Sequence, residues 1–195
     1  MIEIRIHGRG GQGAVVASQI LARAAFHKGL HVQAFPQFGV ERRGAPVLAF
    51  ARLSEEPIRV RSAVYKPHHI MILDAALIEH TDVTQGLHPE GWIVINSSQS
   101  PQSFALNKNW NLATVDGTTI AATNGIGTLT QPIVNTTMIG ALVRVTQIVE
   151  IEDLEWALAE TFKKRVEDNQ KATRAAYEKV SIRAAIGDCV TSVPS

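Results

Sequence analysis

The sequence holds a single cysteine in 195 residues, Cys189, and that scarcity excludes the most. No internal disulfide can form, and one thiol cannot assemble an iron–sulfur cluster or a thiolate zinc site. Any electron-transfer centre that works with this chain must therefore sit on another. Aromatic residues are only 6% of the total, which does not favour a stacking platform for single-stranded nucleic acid. A net charge of +1 provides no global field to attract a polyanion. No apolar run approaches the roughly 20 residues that a membrane helix requires. Glu3 and Arg5 interrupt the first apolar stretch, so the start does not read as a signal peptide, and the cytoplasm is the expected compartment. What remains, with 45% hydrophobic and 19% charged residues, is the composition of a soluble globular protein. One domain spanning residues 1–195 is expected.

The pattern that is present alternates strands with helices. Ile2, Ile4 and Ile6 alternate with Glu3 and Arg5, the period of a strand with one polar face. The run AVVASQILARAAFHKG then repeats with helical spacing and stops at Gly29. HVQAF at 31–35 reads as a second strand. VLAFARL, the turn SEEP and IRVRS suggest a hairpin over residues 47–62. HHIMILD at 68–74, GWIVINSS at 91–98 and NLATVDG at 111–117 read as further strands, with TTIAATNG opening a helix. From Gln131 the chain turns helical. Ile151, Leu154, Leu158 and Phe162 share one face of a second helix in this part, and a third is expected from about Asn169 to Ala185, before a loose tail TSVPS. These elements predict a three-layer α/β fold: a mixed, mostly parallel sheet, a Rossmann-like N-terminal unit and a helical C-terminal third.

The stretch HGRGGQGA places Gly8, Gly10 and Gly13 in the G-x-G-x-x-G spacing of a dinucleotide-binding turn, with Gly11 and Gln12 between them. Such a site also needs a buried first strand and an acid about 20 residues on to hold the ribose hydroxyls. The first strand alternates charge with apolar residues, and the second ends QAFPQ, with no acid before Glu41. A phosphate-binding loop is excluded too, because GQGA stands where G-K-[ST] is required. The G-D-G start of a thiamine diphosphate site, with its distant Asn pair, is likewise absent; VDG at 115–117 supplies neither. Glycines opening a helix expose backbone N–H groups that suit an anion, and Gln12 adds an amide. The same glycines equally allow a tight turn and close helix–strand contact.

A second loop, QFGVERRGAPV at 37–47, carries Glu41, Arg42 and Arg43 and is expected at the same sheet edge. Adjacent arginines can clamp phosphate or carboxylate with forked donors, or pack against a partner. His7, His68 and His69 have no third ligand at metal spacing, so bonded or exposed histidines are expected. Asp74 either contributes to a site or caps the helix beginning at Ala75. Asn135, Thr136 and Thr137 interrupt an apolar helix and either bond locally or line a subunit contact. No catalytic residue can be named from these patterns.

In combination, HGRGGQGA, PQFGVERRGAPV at 36–47, Asn96 in a strand and PIVNTTMIGAL at 132–142 resemble the gamma subunits of 2-oxoacid:ferredoxin oxidoreductases. FGVERRGAPV looks most like the pyruvate-type members, and the likeness runs to about residue 180. It implies a subunit of a cytoplasmic complex that oxidatively decarboxylates a 2-oxoacid to an acyl-coenzyme A and carbon dioxide, reducing ferredoxin or flavodoxin. Thiamine diphosphate, Mg2+ and the 4Fe–4S clusters would belong to alpha, beta and delta subunits, leaving this chain without a cofactor of its own. Its implied part is non-catalytic: assembly, with a share in coenzyme A binding. Gly8, Gly10, Gly11, Gln12, Gly13, Arg42 and Arg43 are the expected binding residues, with no metal, nucleic-acid or membrane contact. The competing readings are a gamma-type subunit of an indolepyruvate or 2-oxoglutarate enzyme, and a free-standing nucleotide-binding dehydrogenase.

Overall fold

In the computed structural model, which describes residues 1–37, 44–128, 130 and 133–185, a seven-stranded sheet organises the chain. Its strands are β1 (Ile2–Arg9), β2 (His31–Pro36), β3 (Pro46–Ser54), β4 (His69–Ile72), β5 (Trp92–Asn96), β6 (Asn111–Val115) and β7 (Ser181–Arg183). Their spatial order is β2-β3-β1-β4-β5-β6-β7. The run β1-β4-β5-β6 is parallel, whereas β3 is antiparallel to β1 and β2, and β7 is antiparallel to β6. The helices are α1 (Ala14–His27), α2 (Leu77–His80), α3 (Gly117–Thr123), α4 (Asn135–Thr146), α5 (Ile151–Thr161) and α6 (Val166–Lys179).

The sheet has two unlike faces. On one, α1 and α4 lie directly on the strands, with α5 and α6 packed behind them. Ile4 and Ile6 point into this layer and are fully buried, together with Ala17, Ile20 and Leu21 of α1. Alanines at 14, 17, 24 and 25 let α1 sit close to the sheet. Gly29, at φ 90°, ends the helix, and the Leu30 N–H donates back to the Ala25 carbonyl at 3.0 Å. Between α4 and α6 the approach is closer still: a Cβ on Gly140 would collide with the Thr173 carbonyl. Ile151, Leu154 and Leu158 of α5 are buried as their spacing implies, with Phe162 packed beside them.

The opposite face carries a thinner cover. Over β4, β5 and β6, Ile70, Ile72, Ile93, Ile95 and Leu112 pack against Leu77 of α2 and against Val83 and Leu87. Over β1, β3 and β2 the cover is the irregular segment 55–68. This corrects the expected hairpin over 47–62: β3 ends at Ser54, pairs with β1 and β2, and no strand follows it before β4. The alternation in IRVRS comes from an extended strap whose carbonyls bond to side chains instead of a neighbouring strand. The third C-terminal helix is also placed differently, at Val166–Lys179, with β7 occupying 181–183 of the stretch expected to be helical. The helical part begins at Asn135 among the described residues; Gln131, Cys189 and the tail TSVPS lie outside them.

Strand β1 is central, and its polar alternation faces a buried layer and not water. Arg5 is 6% exposed, donates from Nε to His7 Nε2 at 3.0 Å, and donates from Nη2 to the carbonyls of Val83 and Gln85 at 2.9 and 2.7 Å. Burial lowers the Arg5 guanidinium from its ordinary value, with Asp82 opposing the shift. Burial likewise depresses His7 to about 3, assisted by the Arg5 charge. His69, half-buried with its Nδ1 accepting from the Trp92 N–H, is depressed to about 4 by that burial. His68 accepts from the Glu3 N–H at 3.1 Å and stacks on His88.

A depressed histidine favours the neutral imidazole in the fold, so the unfolded chain binds the extra proton. Stability from His7 and His69 is therefore fully present above the unfolded value near 6.5 and lost as pH falls toward 4. Urea unfolding between pH 7 and pH 5 should show stability falling by up to about 1.4 kcal/mol per pH unit for each histidine. A flat profile would contradict the neutral assignment.

Candidate functional site

The carboxyl ends of β1, β4, β5 and β6 form one rim, the side of an open α/β sheet where ligands bind. The glycine turn joins β1 to α1 at this rim, and its glycines do different jobs. A Cβ on Gly8 would press on Leu73 at 3.2 Å and Ala14 at 3.4 Å, so its absence allows close approach of β4 and α1. Gly10 exchanges hydrogen bonds with the base of the second loop: its N–H donates to the Ala45 carbonyl at 2.9 Å and its carbonyl accepts from Gly44 at 3.2 Å. Gly11, at φ 98°, faces open space. Gly13, at φ 81°, caps α1, and a Cβ there would collide with the Asn135 amide of α4.

Gln12 is committed to the turn through its oxygen, which accepts from the Arg9 N–H at 2.7 Å. Because that partner only donates, the amide NH2 is the half of Gln12 left to donate outward. No side chain caps the first turn of α1, and that turn holds no acid. The rim therefore presents backbone donors, the positive end of a 14-residue helix and a side-chain amide, an arrangement suited to an anion.

Arg9, which sequence reasoning passed over, ties three segments together. Its Nε donates to Asp74 Oδ2 at 2.6 Å and its Nη1 to the Gly44 carbonyl at 3.3 Å, while Nη2 makes no hydrogen bond among the described residues. Asp74 does not cap a helix beginning at Ala75, since α2 begins at Leu77 without a side-chain cap; its Oδ1 accepts from the Ala76 N–H in the turn before α2, and its Oδ2 holds Arg9. No local signal marks this pair, since its members lie 65 residues apart and meet only because β1 and β4 are adjacent. Asn96 performs a similar task further along the rim. Its Nδ2 donates to the Leu73 carbonyl at 3.0 Å and to Thr118 Oγ1 at 3.1 Å, and its Oδ1 accepts from the Thr118 N–H.

The Asn135-Thr136-Thr137 run is buried inside the chain. Asn135 Nδ2 donates to the Gly13 carbonyl at 3.4 Å, and Thr136 Oγ1 donates to Asn169 Oδ1 of α6 at 2.9 Å. These bonds tie the glycine turn to α4 and α4 to α6, and the expected local bonding is present beside them, with Asn135 Oδ1 accepting from the Thr136 N–H at 2.9 Å, while Thr137 Oγ1 is buried without a hydrogen bond among the described residues. The flanks of the second loop, Gly44 to Pro46, lie against the glycine turn as the sheet order requires. Glu41, Arg42 and Arg43 lie outside the described residues. Among the described residues, no group of three or more His, Cys, Asp or Glu side chains has metal-binding geometry, and no helix is long and apolar enough to cross a membrane.

Fold and rim together define a Rossmann-like α/β domain whose second strand, HVQAFP, carries no acid to hold a ribose. The family described as pyruvate ferredoxin/flavodoxin oxidoreductase matches residues 3–179, and the chain belongs to that family. It is 50% identical over 186 residues to the pyruvate/ketoisovalerate oxidoreductases common subunit gamma of Pyrococcus abyssi, covering 93% of this chain and 98% of that one. To the pyruvate synthase subunit PorC of Methanothermobacter marburgensis it is 49% identical over 181 residues, covering 92% and 98%. Among solved structures it is similar to the pyruvate oxidoreductase subunit PORC of Thermotoga maritima, with a TM-score of 0.78, 36% identity, and coverage of 93% and 97%.

The two strained glycines of the turn separate conformational cost from packing cost. Gly11→Ala should lose roughly 1–2 kcal/mol, the penalty of a left-handed residue with free space around it. Gly13→Ala adds a collision with Asn135 and should lose clearly more, by about 1–3 kcal/mol of overpacking. Denaturant midpoints of the two variants check this; equal losses would show that Asn135 yields freely.

Proposed function

We propose that this chain is the gamma subunit of a multisubunit pyruvate-type 2-oxoacid:ferredoxin oxidoreductase. In that enzyme a 2-oxoacid is oxidatively decarboxylated, its acyl group passes to coenzyme A, and ferredoxin is reduced. The observation that carries this reading is near-half identity to gamma subunits over nearly the full length of both chains. That some of these relatives are named as common to pyruvate and ketoisovalerate enzymes supports a gamma chain that does not itself choose the oxoacid.

The residues present do not fit the iron–sulfur or thiamine groups of such a complex. One cysteine cannot ligate a cluster, and VDG at 115–117 lacks the order of a thiamine motif. Coenzyme A fits better, because its phosphates are anions and the rim offers donors. In this reading the amides of Gly11 and Gly13, which make no hydrogen bond among the described residues, the Gln12 NH2 and the N-terminal end of α1 receive phosphate, with Arg42 and Arg43 supplying forked cationic donors from the adjoining loop. Arg9 holds the base of that loop to Asp74, so that the two parts of the edge keep one relative position. The chain's own contribution is then binding and orientation, with bond-breaking chemistry on partner subunits.

The test is the assembled complex carrying Arg42→Ala and Arg43→Ala together. The Michaelis constant for coenzyme A should rise by about tenfold or more while that for the oxoacid holds steady, as expected when charge-assisted contacts to one substrate are removed. An unchanged constant in an intact complex would overturn the coenzyme A contact and assign the arginines to subunit packing.

A further inference from the structure

The strap over the sheet's polar face is held by side chains of the sheet and pairs with no strand. From the sheet side, Gln33 Nε2 donates to the Ile58 carbonyl at 3.4 Å, Arg52 Nη1 to the Val60 carbonyl at 3.4 Å, and Arg52 Nη2 to the Ser62 carbonyl at 2.7 Å. Alternate carbonyls at 58, 60 and 62 turned the same way are the pattern of an extended run that ends at the bend at Ser62, because the N–H and C=O of every second residue share one edge. The N–H and C=O groups of Arg59 and Arg61 therefore point away from the sheet. Among the described residues no hydrogen bond uses them. Arg59, Val60 and Arg61 are exposed, and neither guanidinium has an ion-pair partner there. Tyr65, 73% exposed, and Lys66 continue the same surface.

We propose that residues 58–62 form a docking edge to which an extended acidic segment of a partner protein chain adds as a strand. The proposal rests on the reading of this chain as a subunit. Main-chain groups of Arg59 and Arg61 supply the ladder, and charge selects the occupant. Side chains two apart on a strand share a face, so Arg59 and Arg61 call for acids two apart on the incoming segment, with an apolar residue between them opposite Val60. Arg52 and Gln33 hold the edge stretched before the partner arrives, which removes part of the ordering cost of association.

The experiment uses the complex purified with its partner subunits. Arg61→Pro removes one outward N–H while keeping an extended φ, whereas Val60→Pro removes an inward N–H that bonds to nothing. Arg61→Pro, and separately the pair Arg59→Glu with Arg61→Glu, should weaken subunit association about tenfold or more, with Val60→Pro within about twofold of wild type. Thermal unfolding of each chain confirms the fold. If Arg61→Pro does not fold, the charge reversal, which leaves the backbone intact, decides. Unchanged association in both, or equal weakening by Val60→Pro and Arg61→Pro, would overturn the docking edge. A wild-type chain that recovers no partner would overturn the subunit reading, and this proposal with it.

Discussion

One guanidinium, that of Arg52, fixes how half of this sheet is covered. It is 1% exposed, bonds to Glu3 Oε1 at 2.7 Å and to Gln33, lies 5.1 Å from the Phe35 ring centroid, and donates to the carbonyls of Val60, Ser62 and Ala63. A buried charge is costly unless paired and fully hydrogen-bonded, and here one carboxylate and several carbonyls meet that requirement. The register makes it possible, since Glu3, Arg52 and Gln33 stand opposite one another on neighbouring strands. Arg5 does the same for the 83–85 segment. With these two braces, irregular backbone covers a face that a helix covers in most α/β domains, and the helices α1, α4, α5 and α6 are left to build the other side.

This division fixes the rim from two sides. The helical side anchors the glycine turn through Asn135 behind Gly13 and through Leu73 and Ala14 beside Gly8. The thin side anchors it through Arg9 and Asp74, and through the ladder that continues from β1 into Gly10. A turn held from both sides can present unpaired amides without collapsing onto them, which is what an anion-receptive edge needs. The strap, meanwhile, is displayed on a different surface and held from beneath.

Much of this was legible in the sequence. Strand β1, the glycine turn, α1, and the buried strands β4 to β6 follow directly from alternation, apolar runs and stop signals. The absence of an acid in β2 was legible in the sequence, whereas alternation in β1 does not mark an exposed strand: Glu3, Arg5 and His7 face a buried layer. Alternation reports two unlike faces and says nothing about which is wet. IRVRS carries the same ambiguity, because carbonyls bonded to side chains leave the same periodic trace as carbonyls bonded to a strand. Arg9–Asp74, Arg52–Glu3 and Asn135–Gly13 join residues far apart in sequence, and no local pattern could have paired them.

The claim that Arg52 braces the polar face is tested most directly by limited tryptic proteolysis of Arg52→Met, read as the rate of cleavage after Arg59 and Arg61 in the strap, with thermal unfolding as the check on the rest of the fold. Strap cleavage is expected to run about tenfold faster or more than in wild type while unfolding stays cooperative, the signature of local opening without global unfolding. Unchanged strap cleavage would contradict the claim, because the covering segment would then hold its place without the buried guanidinium.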